Sequence, residues 1–442
     1  MSEEKLYYDI AIIGAGPGGY TAAIRAAQLG KSSVLIEKDE IGGTCLNHGC
    51  IPTKTIHYST RIYSQMKRSA NLGISADNIA IDLSKIIDRK DRIVGQLRKG
   101  LQYLFKENCI DVIKGEGKLI DKHNIEAGGQ KVHAADIILA MGSRVQEHPP
   151  FPVDEKTVFT SNGILNLRTV PKSIAIIGAG PIGIEMACIF NEIGSKVTVF
   201  EIMPRIMPLE DAEVTKVLEQ SLIKRGIEVR TGTSTINQKE FDAVLISSGR
   251  TPNTHGLEDH GIKLDKGKVI VNEHMQTSVV NIFAIGDIAG RYMFAHTAAR
   301  EGIVAVENIC GHKSKMDYTA VPRCTYSEPG VGSVGLTEQE ARARNIDIKI
   351  GKFPFTASSK ALIEDDRAGF VKIIADKTDK IIGVHILGRH ATEMIAEAAL
   401  ALHKQMKLED LASTIHAHPT VYESIYEATE NALKRSILIL NK

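Results

Sequence analysis

The stretch GGTCLNHGCIPTK, residues 42–54, sets Cys45 and Cys50 close together in a loop that runs toward a helix. Two thiols at this spacing can clip a metal, staple a loop, or open and close as a redox pair. Structural zinc draws on four ligands, commonly from two such pairs. No second pair exists, and after His48 no fourth ligand follows. A static staple suits an oxidising compartment. The redox reading has positive support: Pro52 suits a helix's first turn, and Lys54 to Lys67 can continue it. Cys50 then lies near a helix N-terminus, where its thiolate is stabilised.

The elements around this loop repeat. DIAIIGAGPGGYTAAIRAAQLGKSSVLIEK reads as a buried strand, a glycine turn, an amphipathic helix and a second strand ending in Glu37; SIAIIGAGPIGIEMACIFNEIGSKVTVFEI follows the same plan to Glu201. Each unit carries G-x-G-x-x-G, at Gly14, Gly16 and Gly19 and at Gly178, Gly180 and Gly183, and each acid follows its first glycine at the same spacing. The first glycine permits the tight turn, the second lets a pyrophosphate approach the backbone, and the third lets helix and strand pack closely. Phosphates then sit at a helix N-terminus, and the closing acid accepts hydrogen bonds from ribose hydroxyls. Two such sites predict a bound flavin and a diffusible nicotinamide exchanging a hydride. Glu201 suits a free 2′-hydroxyl and repels a 2′-phosphate, and no cation follows before Arg205, so NAD⁺/NADH is expected over the phosphorylated form.

At 442 residues and 43% hydrophobic, the chain is too long for one ordinary domain. Lys plus Arg total 54 against 53 Asp plus Glu, a balance that gives no footprint for nucleic acid or an anionic membrane. No run reaches about 18 uninterrupted apolar residues, so no transmembrane segment is expected. The N-terminus enters a strand after a few polar residues, without a basic region and long apolar stretch. A cytoplasmic, reducing setting follows, in which a close cysteine pair is more often catalytic or metal-binding than structural. Cys109, Cys188, Cys310 and Cys324 stand alone, and ordinary packing is expected of them.

These motifs carry a resemblance over almost the whole chain. GGTCLNHGCIPTK between two glycine units, then SSGRTPN around Gly249, IFAIGDIAG with Asp287, VPRCTYSEPGVGSVGLTE and HAHPTVYE resemble, in order, the pyridine nucleotide-disulfide oxidoreductases. The CLNxGCIP wording is nearest the branch that oxidises dihydrolipoamide. The resemblance implies an α/β fold of two Rossmann-like domains, for FAD and NAD, plus a C-terminal α+β dimerisation domain. The expected division is 1–145 for FAD and the redox disulfide, 146–250 for NAD, 251–320 completing the FAD site, and 321–442 for the interface. By the same resemblance Cys50 is the flavin-proximal sulfur and Cys45 the sulfur that meets substrate. Lys54 and Glu185 match the ion pair near the flavin, Asp287 the ribityl ligand, and Gly117, Gly142 and Gly249 further cofactor-binding positions. His418 and Glu423 match the base and its orienting carboxylate. Thiol–disulfide exchange needs a base that takes and returns a proton near neutral pH, a task imidazole suits, and a carboxylate fixes its tautomer. Taken alone, Thr420-x-x-Glu423 also reads as a capping box, and His416 with His418 as a loop pair or an adventitious metal site.

The resemblance further implies a homodimer whose histidine reaches the partner's disulfide. Its substrate is a lipoyl group borne on another protein, in a 2-oxo acid dehydrogenase or glycine-cleavage assembly, since no lipoyl domain precedes the first unit. Rival readings are a reductase of another disulfide and a docking subunit without redox activity; Glu201 speaks against the first when it depends on NADPH, and the intact pairs against the second. Three departures stand out. RTGTSTINQKE runs almost directly into FDAVLISSGR, which predicts that the second unit has lost its small antiparallel meander. Met141 replaces a small hydroxyl residue, and Tyr422 a serine.

Overall fold

The computed structural model describes residues 6–147, 150–233 and 236–441. The run IAII is apolar throughout because strand Leu6–Ile13 is covered on both faces: Ile10, Ala11 and Ile12 are fully buried. Helix Pro17–Gln28 starts directly after the glycine turn, and strand Ser33–Glu37 returns parallel to the first, with Ile10 opposite Ser33. The helix buries Gly18, Gly19, Ala22, Ala23 and Ala26, small residues that let it lie close to its neighbours. Helix Ala295–Ile309 crosses it so tightly that a Cβ on Gly302 would lie 2.6 Å from the Gly18 carbonyl oxygen.

Among the described residues this sheet has seven strands. Their spatial order is Asp111–Lys114, Ser33–Glu37, Leu6–Ile13, Gln130–Leu139, Asn124–Ala127 and Lys118–Leu119, and Ile282–Ala284 returns to pair in parallel with Gln130–Leu139. The second unit forms a five-stranded, wholly parallel sheet in the order Glu228–Thr231, Lys196–Glu201, Ser173–Ile177, Ala243–Ile246 and Val158–Thr160. The antiparallel meander of the first sheet has no counterpart among the described residues of the second. Between Thr231 and Ala243 only the short turn Gln238–Glu240 is formed, and Ser234 and Thr235 of that segment lie outside the described residues. A two-stranded antiparallel ribbon, Ser143–Val145 against Arg250–Pro252, leads into the second unit and out of it.

The third unit is a five-stranded antiparallel sheet in the order Arg323–Thr325, Val331–Gly335, Ile381–Leu387, Phe370–Asp376 and Ile348–Pro354. Helices Ala391–His403 and Glu423–Ala432 pack on it through Met394, Ile395, Ala398, Ile425 and Ala428. The expected class, two dinucleotide-type parallel sheets and an α+β third unit, is the class observed. A buried ion cluster ties the third unit to the second: Lys372, 1% exposed, holds Asp211 at 3.1 Å and Glu338 at 2.7 Å.

Among the described residues no helix is long and apolar enough to cross a membrane. Of the four isolated cysteines, Cys188 is buried and Cys310 and Cys324 are half-buried, with burial pushing Cys188 up to about 12 and Cys324 up to about 11. Cys109 departs from the packing expectation. It is exposed, in a left-handed conformation (φ +53°) at the turn that ends helix Leu83–Glu107.

Candidate active site

Cys45 lies on the short helix Gly43–His48, and Cys50 is the first residue of helix Cys50–Lys67. Gly42 and Gly43, with φ of +97° and +59°, turn the chain so sharply that a Cβ on Gly43 would lie 2.7 Å from the Gly16 Cα. The cysteine loop is thereby pressed onto the first glycine turn. Asn47 pins it: its amide donates to the carbonyls of Glu40, Ile41 and Gly43 at 3.0 to 3.2 Å and accepts from Arg98 at 2.7 Å. The two sulfurs lie close enough to act on each other. Cys45, and then Lys54 acting against burial, holds Cys50 below the usual thiol range; Cys50 and burial push Cys45 up. Of the two, Cys50 is the sulfur whose surroundings favour the thiolate.

One turn along the same helix, the Lys54 ammonium meets both oxygens of Glu185, at 2.9 and 2.7 Å. Glu185 comes from helix Pro181–Glu192 of the second unit, so the pair spans two units. Tyr326, which sequence reasoning did not single out, completes this corner from the third unit: its backbone N–H donates to Glu185 at 2.9 Å and its ring lies 4.5 Å from Lys54 Nζ.

The two nucleotide units agree down to their hydrogen bonds. Glu37 accepts from the N–H groups of Ala15 and Asp39, both at 2.8 Å; Glu201 accepts from Ala179 at 2.8 Å and Met203 at 2.9 Å. Each acid thus braces its glycine turn, with carboxylate lone pairs remaining for ribose hydroxyls. Gly14 and Gly178 have φ of +105° and +100°. Arg205 is spent locally, donating to the carbonyls of Glu210 and Pro208 and to the Thr215 hydroxyl.

Asp287 shares a short hydrogen bond with Ser143, and Arg250 donates to the Ser143 hydroxyl and carbonyl at 2.7 Å each. This cluster sits on the ribbon between the units, where Gly142 (φ +65°) and Gly249 (φ +126°) make the bends. Met141 is half-buried against the first unit's core and uses only its carbonyl here, accepting from Asn253 at 2.9 Å. Gly117 packs under the first unit, where a Cβ would meet Ile13 and Ile36 at 2.9 and 3.1 Å. Glu301 also escaped the sequence reading. Burial pushes its carboxyl up to about 7, and it accepts from Gly286 N–H at 2.6 Å and the Tyr318 hydroxyl at 2.7 Å, holding the turn that presents Asp287.

His418, 69% exposed on its side chain, bonds through Nδ1 to Glu423 Oε1 at 2.9 Å. The other Glu423 oxygen accepts from Thr420 N–H at 2.9 Å, while the Thr420 hydroxyl turns back to Ala417. Half of the capping box is thus present, and the same carboxylate fixes the imidazole so that Nε2 is left for proton transfer. His416 is engaged separately by Glu397 at 2.8 Å, which raises it above the usual imidazole range. Tyr422 packs against the core of the third unit.

Residues 8–302 match the family model described as pyridine nucleotide-disulphide oxidoreductase, and residues 321–429 match its dimerisation domain. The chain belongs to the pyridine nucleotide-disulphide oxidoreductases. Within this family it is similar to the mitochondrial dihydrolipoyl dehydrogenase of Pisum sativum, 42% identical over 95% of this chain and 90% of that protein. It is 40% identical to the dihydrolipoyl dehydrogenase of Bacillus subtilis over 95% and 97%, and 41% identical to a leghemoglobin reductase of Vigna unguiculata over 95% and 86%. Among solved structures, LpdA from Mycobacterium tuberculosis superposes with a TM-score of 0.88 at 27% identity, and the HOCl-induced flavoprotein disulfide reductase RclA from Escherichia coli with 0.85 at 29%. Each pair covers 96% of this chain and 99% of the other.

As a member of the pyridine nucleotide-disulphide oxidoreductases, the chain has FAD and NAD(H) as cofactors. Its glycine turns fit them. A Cβ on Gly19 or Gly183 would collide with the carbonyl oxygen of Gly14 or Gly178, so these glycines serve packing. Gly16 and Gly180 instead face open space, with at most one atom within 4 Å of such a Cβ, as a backbone approached by pyrophosphate requires.

Proposed function

We propose that this protein is a dihydrolipoyl dehydrogenase: it oxidises dihydrolipoamide carried on a partner protein and reduces NAD⁺. The observation that carries this reading is the Cys45–Cys50 pair, close together at a helix start and pressed onto the first glycine turn. The likeness to dihydrolipoyl dehydrogenases over nearly the whole chain names the substrate.

In this mechanism Cys45 and Cys50 begin as a disulfide. One thiolate of the dihydrolipoyl group attacks Cys45, which forms a mixed disulfide and releases Cys50 as thiolate; the second lipoyl sulfur then displaces Cys45, leaving lipoamide and the reduced pair. His418, contributed by one subunit to the cysteine pair of the other, takes the proton on Nε2 while Glu423 steadies the imidazolium. Lys54 neutralises the Cys50 thiolate, and Glu185 fixes Lys54. Bound FAD supplies the two-electron connection between the reduced pair and NAD⁺. Gly14, Gly16, Gly19, Glu37, Gly117, Gly142 and Asp287 hold FAD; Gly178, Gly180, Gly183, Glu201 and Gly249 hold NAD(H).

In this reading residues 1–145 form the FAD domain with the redox disulfide, 146–250 the NAD domain, 251–320 the central region that completes the FAD site, and 321–442 the interface domain. Lipoyl-bearing proteins of 2-oxo acid dehydrogenase or glycine-cleavage complexes are the partners, and the setting is cytoplasmic, in line with the Bacillus relative. The test is the initial rate of NAD⁺ reduction by dihydrolipoamide with purified yellow protein. A fast rate is expected. A negligible rate with flavin retained would overturn the substrate, and a colourless, flavin-free protein would favour a docking subunit.

A further inference from the structure

The two helices that bring Lys54 to Glu185 meet again two turns farther on. His57 follows Cys50 by two turns on helix Cys50–Lys67, and Glu192 follows Glu185 by two turns on helix Pro181–Glu192. The third unit closes this second meeting point with Glu328, between strands Arg323–Thr325 and Val331–Gly335. One ligand atom each from His57, Glu192 and Glu328 lie within 4.8 Å of one another.

His57 is 7% exposed, and its Nε2 is buried with no hydrogen-bond partner. It faces Glu328 Oε1 at 4.0 Å, beyond hydrogen-bond reach. A buried polar nitrogen left in this state is costly unless something binds it. The carboxylates are better provided for. Arg61 Nε pairs with Glu328 Oε1 at 3.0 Å, Arg225 donates to Glu192 Oε1 at 3.1 Å, and the Thr60 hydroxyl donates to Glu192 Oε2 at 2.7 Å. A carboxylate offers about four lone-pair sites, so each retains acceptor capacity. The cluster thus folds without help, yet keeps one imidazole nitrogen and two carboxylates converging on one point.

We propose that His57, Glu192 and Glu328 bind a divalent transition-metal ion. One imidazole and two carboxylates make a donor set that Zn²⁺ accepts, with the remaining positions left to water. Closing from a 4.8 Å span onto metal–ligand distances of about 2.0–2.2 Å takes small side-chain shifts. The two arginines already counter the carboxylates, so the ion is an acquired one and not a condition of folding. Because the ligands come from three units, the ion ties them together beneath the Lys54–Glu185 pair.

The test uses the FAD-loaded homodimer with Cys45 and Cys50 kept oxidised, so that free thiols do not compete. Zn²⁺ binding is measured by calorimetry and by metal analysis after equilibrium dialysis, with flavin absorbance as the check on folding. Wild type is expected to bind one Zn²⁺ per subunit that His57→Leu loses and Glu328→Gln weakens at least tenfold. No Zn²⁺ on the wild type, or unchanged binding in Glu328→Gln, would overturn the site. Binding abolished by His416→Asn would assign the ion to the exposed histidine loop and overturn it equally.

Discussion

Glu185 grips the Lys54 ammonium with both oxygens, at 2.9 and 2.7 Å, across the join between the two nucleotide-binding units. The pair bears on Cys50 with opposite signs: Lys54 favours its thiolate and Glu185 opposes it. In the reduced protein, Lys54→Met is expected to move Cys50 ionisation to higher pH and Glu185→Gln to lower pH. Iodoacetamide alkylation of Cys50, followed by peptide mass spectrometry across a pH series, reads the shift. Superimposed curves for wild type and both variants would remove Lys54 from the thiolate's surroundings.

His418→Gln keeps the size of the side chain and removes the proton acceptor. Flavin content is expected to stay normal while dihydrolipoamide oxidation falls roughly 10²- to 10⁴-fold, the usual contribution of a positioned acid–base group. Glu423→Gln should fall less, since it loses orientation but keeps the imidazole. Steady-state kinetics with bound-flavin quantification decides it, and near-normal turnover in His418→Gln eliminates the base.

The two glycine turns can be separated by one methyl group each. Gly19→Ala sets a Cβ against the Gly14 carbonyl, and Gly183→Ala does the same at Gly178. The first variant is expected to lose flavin; the second to stay yellow and lose NADH binding. Absorbance at the flavin band and a fluorescence titration with NADH report the two separately, and loss of flavin in Gly183→Ala alone would reverse the assignment of the units.

Glu201 braces Ala179 and Met203, and in the proposed assignment its remaining lone pairs take the ribose hydroxyls. A hydrogen bond to a charged group is worth about 1.5–3 kcal/mol, so Glu201→Ala should raise KM for NAD⁺ about tenfold or more. It should not create NADPH activity, because Arg205 is already committed to Glu210, Pro208 and Thr215. Comparing kcat/KM for the two nicotinamides in wild type and variant checks both statements.

Burial alone would raise Asp211; His385 and Lys372 outweigh it and hold the carboxyl below its ordinary value of 3.8. A carboxyl lowered by folding contributes stability above that value, and the contribution is lost as pH falls through the folded value. Asp211→Asn should therefore be less stable than wild type near neutrality and lose less on acidification. Lys372→Met, which strands the carboxylate, should cost about 3–5 kcal/mol by urea unfolding.

Much of this was legible because it is local. The glycine turns, their acids and the Cys50 helix start all lie within single supersecondary units, where residue type and spacing specify conformation. Tyr326 against Lys54, Glu301 under Gly286 and the His57–Glu192–Glu328 meeting were not legible. Each joins residues distant in sequence, and nothing in a linear pattern says which helix turn will face which loop. Glu423 shows the intermediate case: the capping pattern and the histidine partner were both visible, and only the geometry reveals one carboxylate serving both. Cys109 misled because an isolated cysteine is usually buried, whereas here the turn after a long helix leaves it outside.

The ribbon of Ser143–Val145 against Arg250–Pro252 puts the entrance and exit of the second nucleotide unit side by side, and strand Ile282–Ala284 then resumes the first sheet. The internal repeat is therefore nested, one copy carried inside the other, and not laid end to end. Such a layout leaves the strand pairing of the first sheet uninterrupted around the second unit. Splicing at the two adjacent strands of the ribbon would still leave the module bound at its flanks, where Glu185 holds Lys54 of the first unit and Asp211 holds Lys372 of the third.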